Sequence, residues 1–372
     1  MRQIAYISLG SNEGNRLEFL QKALLSLEQL PLQIKAQSHI YETPAWGFEG
    51  PAFLNACVTI KTTLSPQELL AQMLELEKQL GRFRRETKGY HSRTIDLDLL
   101  GYEDRVIREE GLTLPHPKLH QREFVLRPLA EIAPHWQHPV LEQTPQKLLA
   151  KFDQQTAVQR PFQEWFPPLF SAFSFLTIEG TIGSGKTTLT HQIANAFGVT
   201  PFLENFSNNP HLAPFYKNPK VYAKAVETFF LTERLKAIQS FWREKKGKAV
   251  VADFSLYKSL VFAKQNLTPT DFSAFSKLYE AELDTLPVPQ LILYLDTPVE
   301  FCLKRIKERG RPYEKNISAD YLQQIASGYA TFFDQHETLP VLKVAVEDRD
   351  FKNNAYHFQW LLRRLSAASI LI

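Results

Sequence analysis

The stretch GTIGSGKTT, at residues 180–188, decides the fold of the second half of the chain. It matches the phosphate-binding pattern G-x-x-x-x-G-K-[ST], which is meaningful only between a strand and a helix. An apolar run at residues 173–178 predicts that strand, and residues 189–197 have the pattern of a helix. Three positions without a β-carbon let backbone N–H groups turn inward on a phosphate: Gly180, Gly183 and Gly185.

The side chains of this loop complete the prediction. Lys186 would reach the outer phosphates, and the Thr187 hydroxyl would bind Mg²⁺, while Ser184 and Thr188 belong to the same ATP-binding loop. The alternative is an accidental glycine-rich turn, which a complete match in this context disfavours. The motif therefore predicts a nucleoside triphosphate site without naming a reaction.

Length and composition set the frame for that site. A chain of 372 residues exceeds the usual size of one core, so two domains are expected. The hydrophobic content of 44%, the charged content of 22% and the net charge of +3 are ordinary, and they favour neither a nucleic-acid nor a membrane partner. The two cysteines, Cys57 and Cys302, lie far apart in apolar segments, which predicts reduced thiols and a cytoplasmic protein.

The first half predicts a different α/β fold. Its patterns alternate as strand, helix, strand, strand, helix and strand, which is the ferredoxin-like βαββαβ arrangement. The corresponding segments are residues 4–9, 17–27, 34–41, 53–62, 66–80 and 94–100.

Two carboxylates on the last of these strands carry the chemistry. Asp96 and Asp98 are two residues apart and so point to one face. They are either Mg²⁺ ligands at a polyphosphate or part of a solvated face. A basic segment beside them favours the metal-assisted site: Arg82, Arg84, Arg85, Lys88 and Arg93. His116 is a candidate phosphate donor or an incidental loop histidine.

Six motifs in the first half resemble 6-hydroxymethyl-7,8-dihydropterin pyrophosphokinases over about residues 1–150. They are SLGSN (8–12), YETPAWG (41–47), FLNACV (53–58), GRFRR (81–85), RTIDLDLL (93–100) and LPHP (114–117). The resemblance implies transfer of pyrophosphate from ATP to the pterin hydroxymethyl group, a step of folate biosynthesis. It also implies two Mg²⁺ ions on Asp96 and Asp98.

The same resemblance implies roles for other residues. Those expected at ATP are Arg82, Arg84, Arg93, His116, Arg122 and Glu77, with Arg82 and Arg93 catalytic. Those expected at the pterin are Thr43, Pro44, Asn55 and Phe124. An aromatic face from Phe53 or Phe124 and an amide that both donates and accepts would suit a flat pterin, although core packing is the alternative for both phenylalanines.

A proline-rich segment separates the two halves. We expect a pyrophosphokinase domain at residues 1–153, a linker at 154–171 whose aromatic residues dock on one domain, and a P-loop domain at 172–372. In the last of these, apolar strands alternate with helices, which predicts a parallel sheet. The strands are expected at residues 173–178, 199–204, 249–253 and 290–296.

Two features of the second half suit phosphoryl transfer. Glu204 at a strand end could accept a proton from an attacking hydroxyl, or it could be a surface acid. A cationic lid over the phosphates would come from Arg305, Arg309 and Arg311, for which a solvated helix end is the alternative.

The second half resembles deoxynucleoside kinases over about residues 173–335. The likeness rests on IEGTIGSGKTT, LEN with NNPHLAPFY, FFLTERL, ADFSLYKSLVFAK and RIKERGRPYE. It implies transfer of the ATP γ-phosphate to a deoxynucleoside 5′-hydroxyl, with Glu204 as base and with Arg234, Glu227 and Asp253 at the substrate. Two positions depart from the family: Phe254 replaces the arginine of the D-R-S motif, after Asp253, and Glu227 replaces a base-reading glutamine.

These observations predict a bifunctional enzyme with MgATP at both sites and one Mg²⁺ at the P-loop. The second half would act on small molecules and could form a homodimer. One alternative makes it a regulatory nucleotide-binding module that has lost catalysis with the missing arginine. Another makes it a nucleoside monophosphate kinase, although a base such as Glu204 suits a hydroxyl acceptor better.

Overall fold

A computed structural model describes residues 2–82, 91–152, 159–161, 165–205, 209–245, 247–283, 286–347 and 349–371. The chain divides into two compact units, Met1–Pro167 and Pro168–Ile372. The boundary between them lies inside the expected linker. No helix in the described ranges is both long and apolar enough to cross a membrane.

The N-terminal unit is an antiparallel sheet with helices. Its elements are β1 (Gln3–Ser11), α1 (Arg16–Leu27), β2 (Leu32–Gln37), β3 (Tyr41–Thr43), β4 (Phe53–Thr62), α2 (Pro66–Gln79), β5 (Asp96–Tyr102), β6 (Ile107–Glu109), β7 (Leu112–Leu114), α3 (Glu123–Ile132), α4 (Pro145–Leu149) and β8 (Gln159–Pro161). Within the described residues the main sheet has the order β5-β1-β4-β3-β8, and β2 also pairs with β4. The ferredoxin-like prediction is thereby confirmed.

The predicted strand at residues 34–41 is interrupted. The strand β2 ends at Gln37, and β3 begins only at Tyr41. Between them the Ser38 hydroxyl accepts a hydrogen bond from the Cys57 amide at 3.0 Å. A side-chain oxygen thus takes the place of a backbone carbonyl, which frees the chain to leave the ladder.

The pairing of the central strand places the polar side chains of this unit. In β1, Gly10 lies opposite Asn55 of β4 on one side and opposite Asp96 of β5 on the other. The predicted last strand begins at Asp96, two residues later than expected. Because β1 joins both neighbours, an amide and a carboxylate distant in sequence reach one end of the sheet.

Part of the expected linker is packed into the N-terminal unit. The Trp165 side chain is 5% exposed, and its indole N–H donates to the Ser38 carbonyl at 2.6 Å. The Gln21 amide donates to the Trp165 carbonyl at 2.5 Å. A buried indole with its N–H satisfied is an effective anchor.

The C-terminal unit is a parallel sheet with helices. Its elements are α5 (Leu169–Ala172), β9 (Phe175–Glu179), α6 (Lys186–Phe197), β10 (Thr200–Phe202), α7 (Leu212–Lys217), α8 (Pro219–Glu244), β11 (Val250–Ala252), α9 (Tyr257–Asn266), α10 (Pro269–Leu283), β12 (Leu291–Asp296), α11 (Val299–Arg309), α12 (Ala319–Gln335), β13 (Val341–Ala345), α13 (Ala355–Ser366) and α14 (Ala368–Leu371).

The order of the strands places β9 at the centre. Among the described strands the sheet runs β10-β11-β9-β12-β13, with every pair parallel. All five residues of β9 are buried, as expected of a central strand in a parallel sheet that is covered on both faces. The parallel P-loop fold was predicted correctly. Glu204 lies two residues beyond β10 rather than at its end, and β13 was not recognised from the sequence.

Candidate active sites

A cleft of about 520 Å³ lies at the end of the N-terminal sheet. Its walls combine aromatic rings, an amide, two carboxylates and two guanidinium groups. They include Thr43, Pro44, Trp46, Phe48, Phe53, Asn55, Arg93, Asp96, Asp98, Arg122 and Phe124. Expected pterin and phosphate residues thus line one cleft.

The two aspartates of the cleft have different partners. Asp96 accepts hydrogen bonds from Arg82 at 2.5 Å and from Arg93 at 2.7 Å. Asp98 accepts one from Arg122 at 3.2 Å. Burial and the neighbouring Asp96 carboxylate raise the pKa of Asp98 to about 6, despite the arginines nearby. Two half-buried carboxylates on one face of a strand suit a cation between them and the phosphates.

This pair fits magnesium when substrate oxygens complete the coordination. Hard cations prefer carboxylate oxygens, and Mg²⁺ is commonly held by one or two carboxylates together with phosphates and water. The described residues contain no group of three or more His, Cys, Asp or Glu side chains that could hold a metal ion alone. The donors present therefore fit a metal that arrives with a polyphosphate.

The other end of the cleft suits a flat heterocycle. The Asn55 amide donates to the Thr43 hydroxyl at 2.7 Å, which fixes its orientation. A β-carbon at Gly10 would stand 2.9 Å from Asn55 Oδ1, so the glycine leaves room for this amide. The rings of Trp46 and Phe124 lie 6.4 Å apart at an angle of 57°. Amide and aromatic faces can thus recognise both the edge and the face of a ring system.

Of the described residues expected at ATP, three do not belong to the lining of the cleft: Arg82, Glu77 and His116. Glu77 is buried behind the cleft, where it pairs with Arg82 and accepts a hydrogen bond from the Leu97 amide at 2.7 Å. His116 does not line the cleft, and its ring Nδ1 accepts from the Lys118 amide at 3.2 Å. Burial, with Arg122 nearby, lowers the pKa of His116 to about 4. Arg84 lies outside the described residues.

The P-loop of the C-terminal unit runs between β9 and α6. Gly183 has φ +83°, and a β-carbon there would stand 2.6 Å from the Cys302 carbonyl of α11. The Lys186 ammonium donates to the carbonyls of Gly180 and Thr181, both at 2.8 Å. Thr187 donates to Asp253 Oδ2 at 2.6 Å, so its hydroxyl oxygen and a carboxylate are adjacent. This pair of oxygens fits Mg²⁺ beside the phosphates.

A second cleft, of about 760 Å³, extends from the P-loop. Its polar lining comes from several helices and loops: Lys186, Thr187, Glu204, Glu227, Arg234, Asp253, Lys258, Arg309, Arg311 and Glu314. Asp253, expected at the substrate, also binds the Glu204 amide through Oδ1 at 2.7 Å.

The candidate base Glu204 is held between two cations. Its Oε1 accepts from Arg234, with Nη2 at 2.5 Å, and its Oε2 accepts from the Lys258 ammonium at 2.5 Å. Although burial raises the pKa of Glu204, Arg234 and Lys258 lower it to about 2. The carboxylate is therefore ionised and fixed in position, and it gains proton affinity when a cation moves away.

Glu227 lies at the deep end of the same cleft. It is 2% exposed, and its Oε1 accepts from the Asn266 amide at 2.7 Å. Its Oε2 is buried and has no hydrogen-bond partner among the described residues. Burial raises the pKa of Glu227 to about 7. An unsatisfied carboxyl oxygen facing a cleft is a ready acceptor for a ligand N–H.

The three lid arginines occupy two places. Arg309 and Arg311 line the second cleft and both bind Glu314, with nitrogen–oxygen distances of 2.6 and 3.2 Å. Arg305 lines a neighbouring hollow and donates to the Ser184 carbonyl at 2.8 Å. Only two of the three therefore face the second cleft in this structure.

Comparison with known proteins matches each half of the chain to a family. Residues 6–134 match the family model of 7,8-dihydro-6-hydroxymethylpterin-pyrophosphokinase, and residues 176–369 match that of deoxynucleoside kinase. A 2-amino-4-hydroxy-6-hydroxymethyldihydropteridine pyrophosphokinase of Aquifex aeolicus is 46% identical over 136 residues, 36% of this chain and 83% of that protein.

Two similar proteins of Bacillus subtilis (strain 168) match the second half. A deoxyguanosine kinase is 37% identical over 191 residues, which is 50% of this chain and 92% of that protein. A deoxyadenosine/deoxycytidine kinase is 32% identical over 189 residues, 49% of this chain and 86% of that protein. The chain belongs to both families.

The protein is accordingly a bifunctional enzyme that joins a pyrophosphokinase of folate synthesis to a deoxynucleoside kinase, with ATP as co-substrate. We call Met1–Pro167 the pyrophosphokinase unit and Pro168–Ile372 the kinase unit. The alternative of a non-catalytic second half is not favoured.

Some residues at the two clefts were not predicted from the sequence. Trp46 belongs to the YETPAWG motif, but its ring was not assigned to the first cleft. Lys258 is on α9 and lines the second cleft only because this helix packs against α8, and Asn266 on the same helix binds Glu227 of that cleft. Spacing in the chain did not identify either, although Lys258 lies only four residues after Phe254.

Proposed function

We propose that the first cleft holds the pterin at Asn55, Thr43 and the aromatic rings, and ATP at the aspartates and arginines. The observation that carries this proposal is that one cleft is lined by Asn55 and by Asp96 and Asp98. The pterin hydroxymethyl oxygen bonds to the β-phosphorus of ATP, and AMP leaves with the electrons of the broken bond. Arg82, Arg93 and Arg122 offset the phosphate charge.

Magnesium belongs to both proposed reactions. Asp96 and Asp98 would hold two ions, and Thr187 would hold one with the phosphates at the P-loop. A bound Mg²⁺ offsets negative charge on phosphate oxygens and keeps the chain of phosphates in one orientation. The residues around it exclude water and align the acceptor hydroxyl.

Two substitutions in the full chain test the assignment of sites. Asp96→Asn should lower the pyrophosphokinase rate by about 100-fold or more, because a charged ligand is lost, and spare the kinase. Lys186→Met should do the reverse. Both rates are measured on each variant by product formation. A loss of both activities from either substitution would contradict separate sites.

In the second cleft we propose that the 5′-hydroxyl of a deoxynucleoside attacks the γ-phosphorus of ATP. Glu204 accepts the hydroxyl proton, the bond from phosphorus to ADP breaks, and ADP retains its electron pair. Lys186, Arg309 and Arg311 offset the charge of the phosphoryl group, while Arg305 supports the P-loop through Ser184. Arg234 holds Glu204 and lies beside the sugar.

We propose deoxyguanosine as the preferred acceptor. The guanine edge carries two adjacent donors, N1–H and the 2-amino group, and a carboxylate can accept both. The orphaned Oε2 of Glu227, together with Oε1, provides such an acceptor at the deep end of the cleft. The similarity to a deoxyguanosine kinase supports the same choice.

A panel of the four deoxynucleosides tests this preference. We expect kcat/KM for deoxyguanosine to exceed that of the other three by about tenfold or more, since an unmatched buried donor or acceptor costs 1–3 kcal/mol. A preference for deoxyadenosine or deoxycytidine would contradict the role of Glu227. Activity on none of the four, with ATP binding intact, would favour a regulatory module instead.

We also propose that the kinase unit forms a homodimer through the outer face of α8. We further propose that the protein works in a reducing compartment such as the cytoplasm. Val221 on this helix is 64% exposed, and it lines a surface hollow with Ala225 and Phe229. Both cysteines are free and buried, which suits such a compartment. Val221→Glu should give monomers, as measured by light scattering. Val288→Glu, a control at another exposed position, should leave the dimer intact.

A further inference from the structure

The residue that replaces the expected arginine cannot reach the phosphates. Phe254 is 1% exposed and packs with Phe202 at a ring distance of 4.9 Å, inside an aromatic cluster. Its neighbours hold it there. Asp253 binds Thr187 and Glu204, and Ser255 donates to Glu179 through both its amide and its hydroxyl. The position between them therefore points into the core.

Lys258 brings a cation to the cleft from the next helix. It lies four residues after Phe254, near the start of α9, and is 8% exposed. Its ammonium binds Glu204 Oε2 at 2.5 Å and lies 5.6 Å from the centre of the Phe262 ring. It lines the same cleft as Lys186 and Thr187.

The contacts around Lys186 and Lys258 are suited to binding an anion. Lys186 donates to two uncharged carbonyls, and Glu204 is shared between Lys258 and Arg234. Burying ammonium groups is costly unless charge compensates them. Lys186 and Lys258 line the same cleft. A phosphoryl group between Lys186 and Lys258 would compensate the positive charge of both ammonium groups.

We propose that Lys258 replaces the missing arginine as a catalytic residue, its ammonium binding the phosphoryl group during transfer from ATP to the deoxynucleoside. This inference rests on the proposed kinase function. A lysine has three donors on a flexible stem, so the same ammonium can leave Glu204 and contact phosphoryl oxygens. The Lys258 ammonium stays protonated during the transfer. The hydroxyl proton passes to Glu204, and the electron pair of the broken bond passes to ADP.

Three substitutions at this position separate charge from packing. Lys258→Arg keeps the charge, Lys258→Gln keeps a neutral hydrogen-bond donor for Glu204, and Lys258→Met keeps only the stem. The matched control is Lys264→Met, an exposed lysine on the same helix. For each full-length variant we would measure kcat, both KM values, ATP binding and the melting temperature.

We expect Lys258→Gln and Lys258→Met to lose about 100-fold or more in kcat, because a charge on the transferring group is lost. Binding of ATP should change by only about threefold, since the interaction strengthens in the transition state. Lys258→Arg should keep kcat within about tenfold, because its charge is retained. Lys264→Met should resemble the unsubstituted enzyme.

The outcomes distinguish this inference from the function on which it rests. If Lys258→Gln works nearly as well as the unsubstituted enzyme, the ammonium only positions Glu204 and the catalytic role is overturned. If Lys258→Arg is as inactive as Lys258→Met while both remain folded, charge is not what the site requires, and the role is again overturned. If the unsubstituted chain phosphorylates no deoxynucleoside, the proposed function and the role of Lys258 fail together.

Discussion

Gly10 affects the first cleft because it has no β-carbon and so leaves space for the Asn55 amide. It pairs with Asn55 and Asp96 on its two sides, and a β-carbon would stand 2.9 Å from the Asn55 amide oxygen. Such contacts require the amide to move.

We expect Gly10→Ala to raise the KM for the pterin by about tenfold, the cost of one misaligned hydrogen bond. The KM for ATP should change less, and the kinase activity of the same chain provides the control. Steady-state kinetics at saturating concentrations of the second substrate measure both values. An unchanged pterin KM would show that Asn55 does not contact this substrate.

Glu227 gives a pH-dependent prediction for stability. Burial raises its pKa from 4.5 to about 7, so between these values the folded chain holds a proton that the unfolded chain releases. Stability contributed by this group therefore falls as the pH rises through that range, and the cost is complete above pH 7. Glu227→Gln removes the titration.

Without ligands, Glu227→Gln should raise the melting temperature of the kinase unit by several degrees at pH 8 and change it little at pH 5, because the penalty applies only to the charged form. Differential scanning calorimetry measures both values. Glu280→Gln, at an exposed position, is the control. In catalysis the Glu227→Gln variant should lose the preference for deoxyguanosine. An equal effect at both pH values would contradict a titrating Glu227.

At the scale of elements, the loop from β11 to α9 depends on one buried carboxylate. Glu179, at the end of β9, is fully buried. Its Oε1 accepts from Ser255, and its Oε2 accepts from the Tyr329 hydroxyl at 2.8 Å. This network fixes the segment that carries Asp253 and leads to Lys258.

Tyr329→Phe leaves Glu179 Oε2 without its donor, so we expect a loss of about 1–3 kcal/mol in the free energy of unfolding of the kinase unit. A fall of about tenfold in the kinase kcat should accompany it, because displacing catalytic groups lowers the rate. Tyr257→Phe on α9 is the matched control. Denaturant titration and kinase assays measure the two effects. If the Tyr329→Phe chain keeps both its stability and its full kinase activity, the network is dispensable.

The interdomain segment offers another test at this scale. Trp165 is buried and bonded to Ser38 and Gln21 of the pyrophosphokinase unit. Trp165→Ala should lower the free energy of unfolding of that unit by about 3–5 kcal/mol, as is typical of a buried tryptophan. Calorimetry of the full chain should show the change in that unit's transition alone. A shift in the other unit's transition would contradict this assignment.

At the scale of the whole molecule, two compact units and two clefts predict two independent thermal responses. A pterin analogue with a non-hydrolysable ATP analogue should raise one melting transition, and a deoxynucleoside should raise the other. Asp98→Asn should abolish only the first shift. A single transition that responds to both ligands would argue for one cooperative structure.

The fold was predictable because short-range patterns determine it. The strand from Phe53 to Thr62 was expected with its observed bounds, and the P-loop required a strand before it and a helix after it. The interruption at Ser38 was missed because a side-chain hydroxyl replaces a ladder carbonyl. The edge strand β13, Val341–Ala345, is short and was not assigned from the sequence.

The sequence by itself determined the two families, the P-loop and the aspartate pair, because each depends on residues close together in the chain. Tertiary structure alone decided that Phe254 faces the core, that Lys258 meets Glu204, and that Glu227 keeps one oxygen without a partner. These relations join separate elements, and whether a side chain reaches a cleft depends on how helices pack around the sheet. No local pattern specifies that packing.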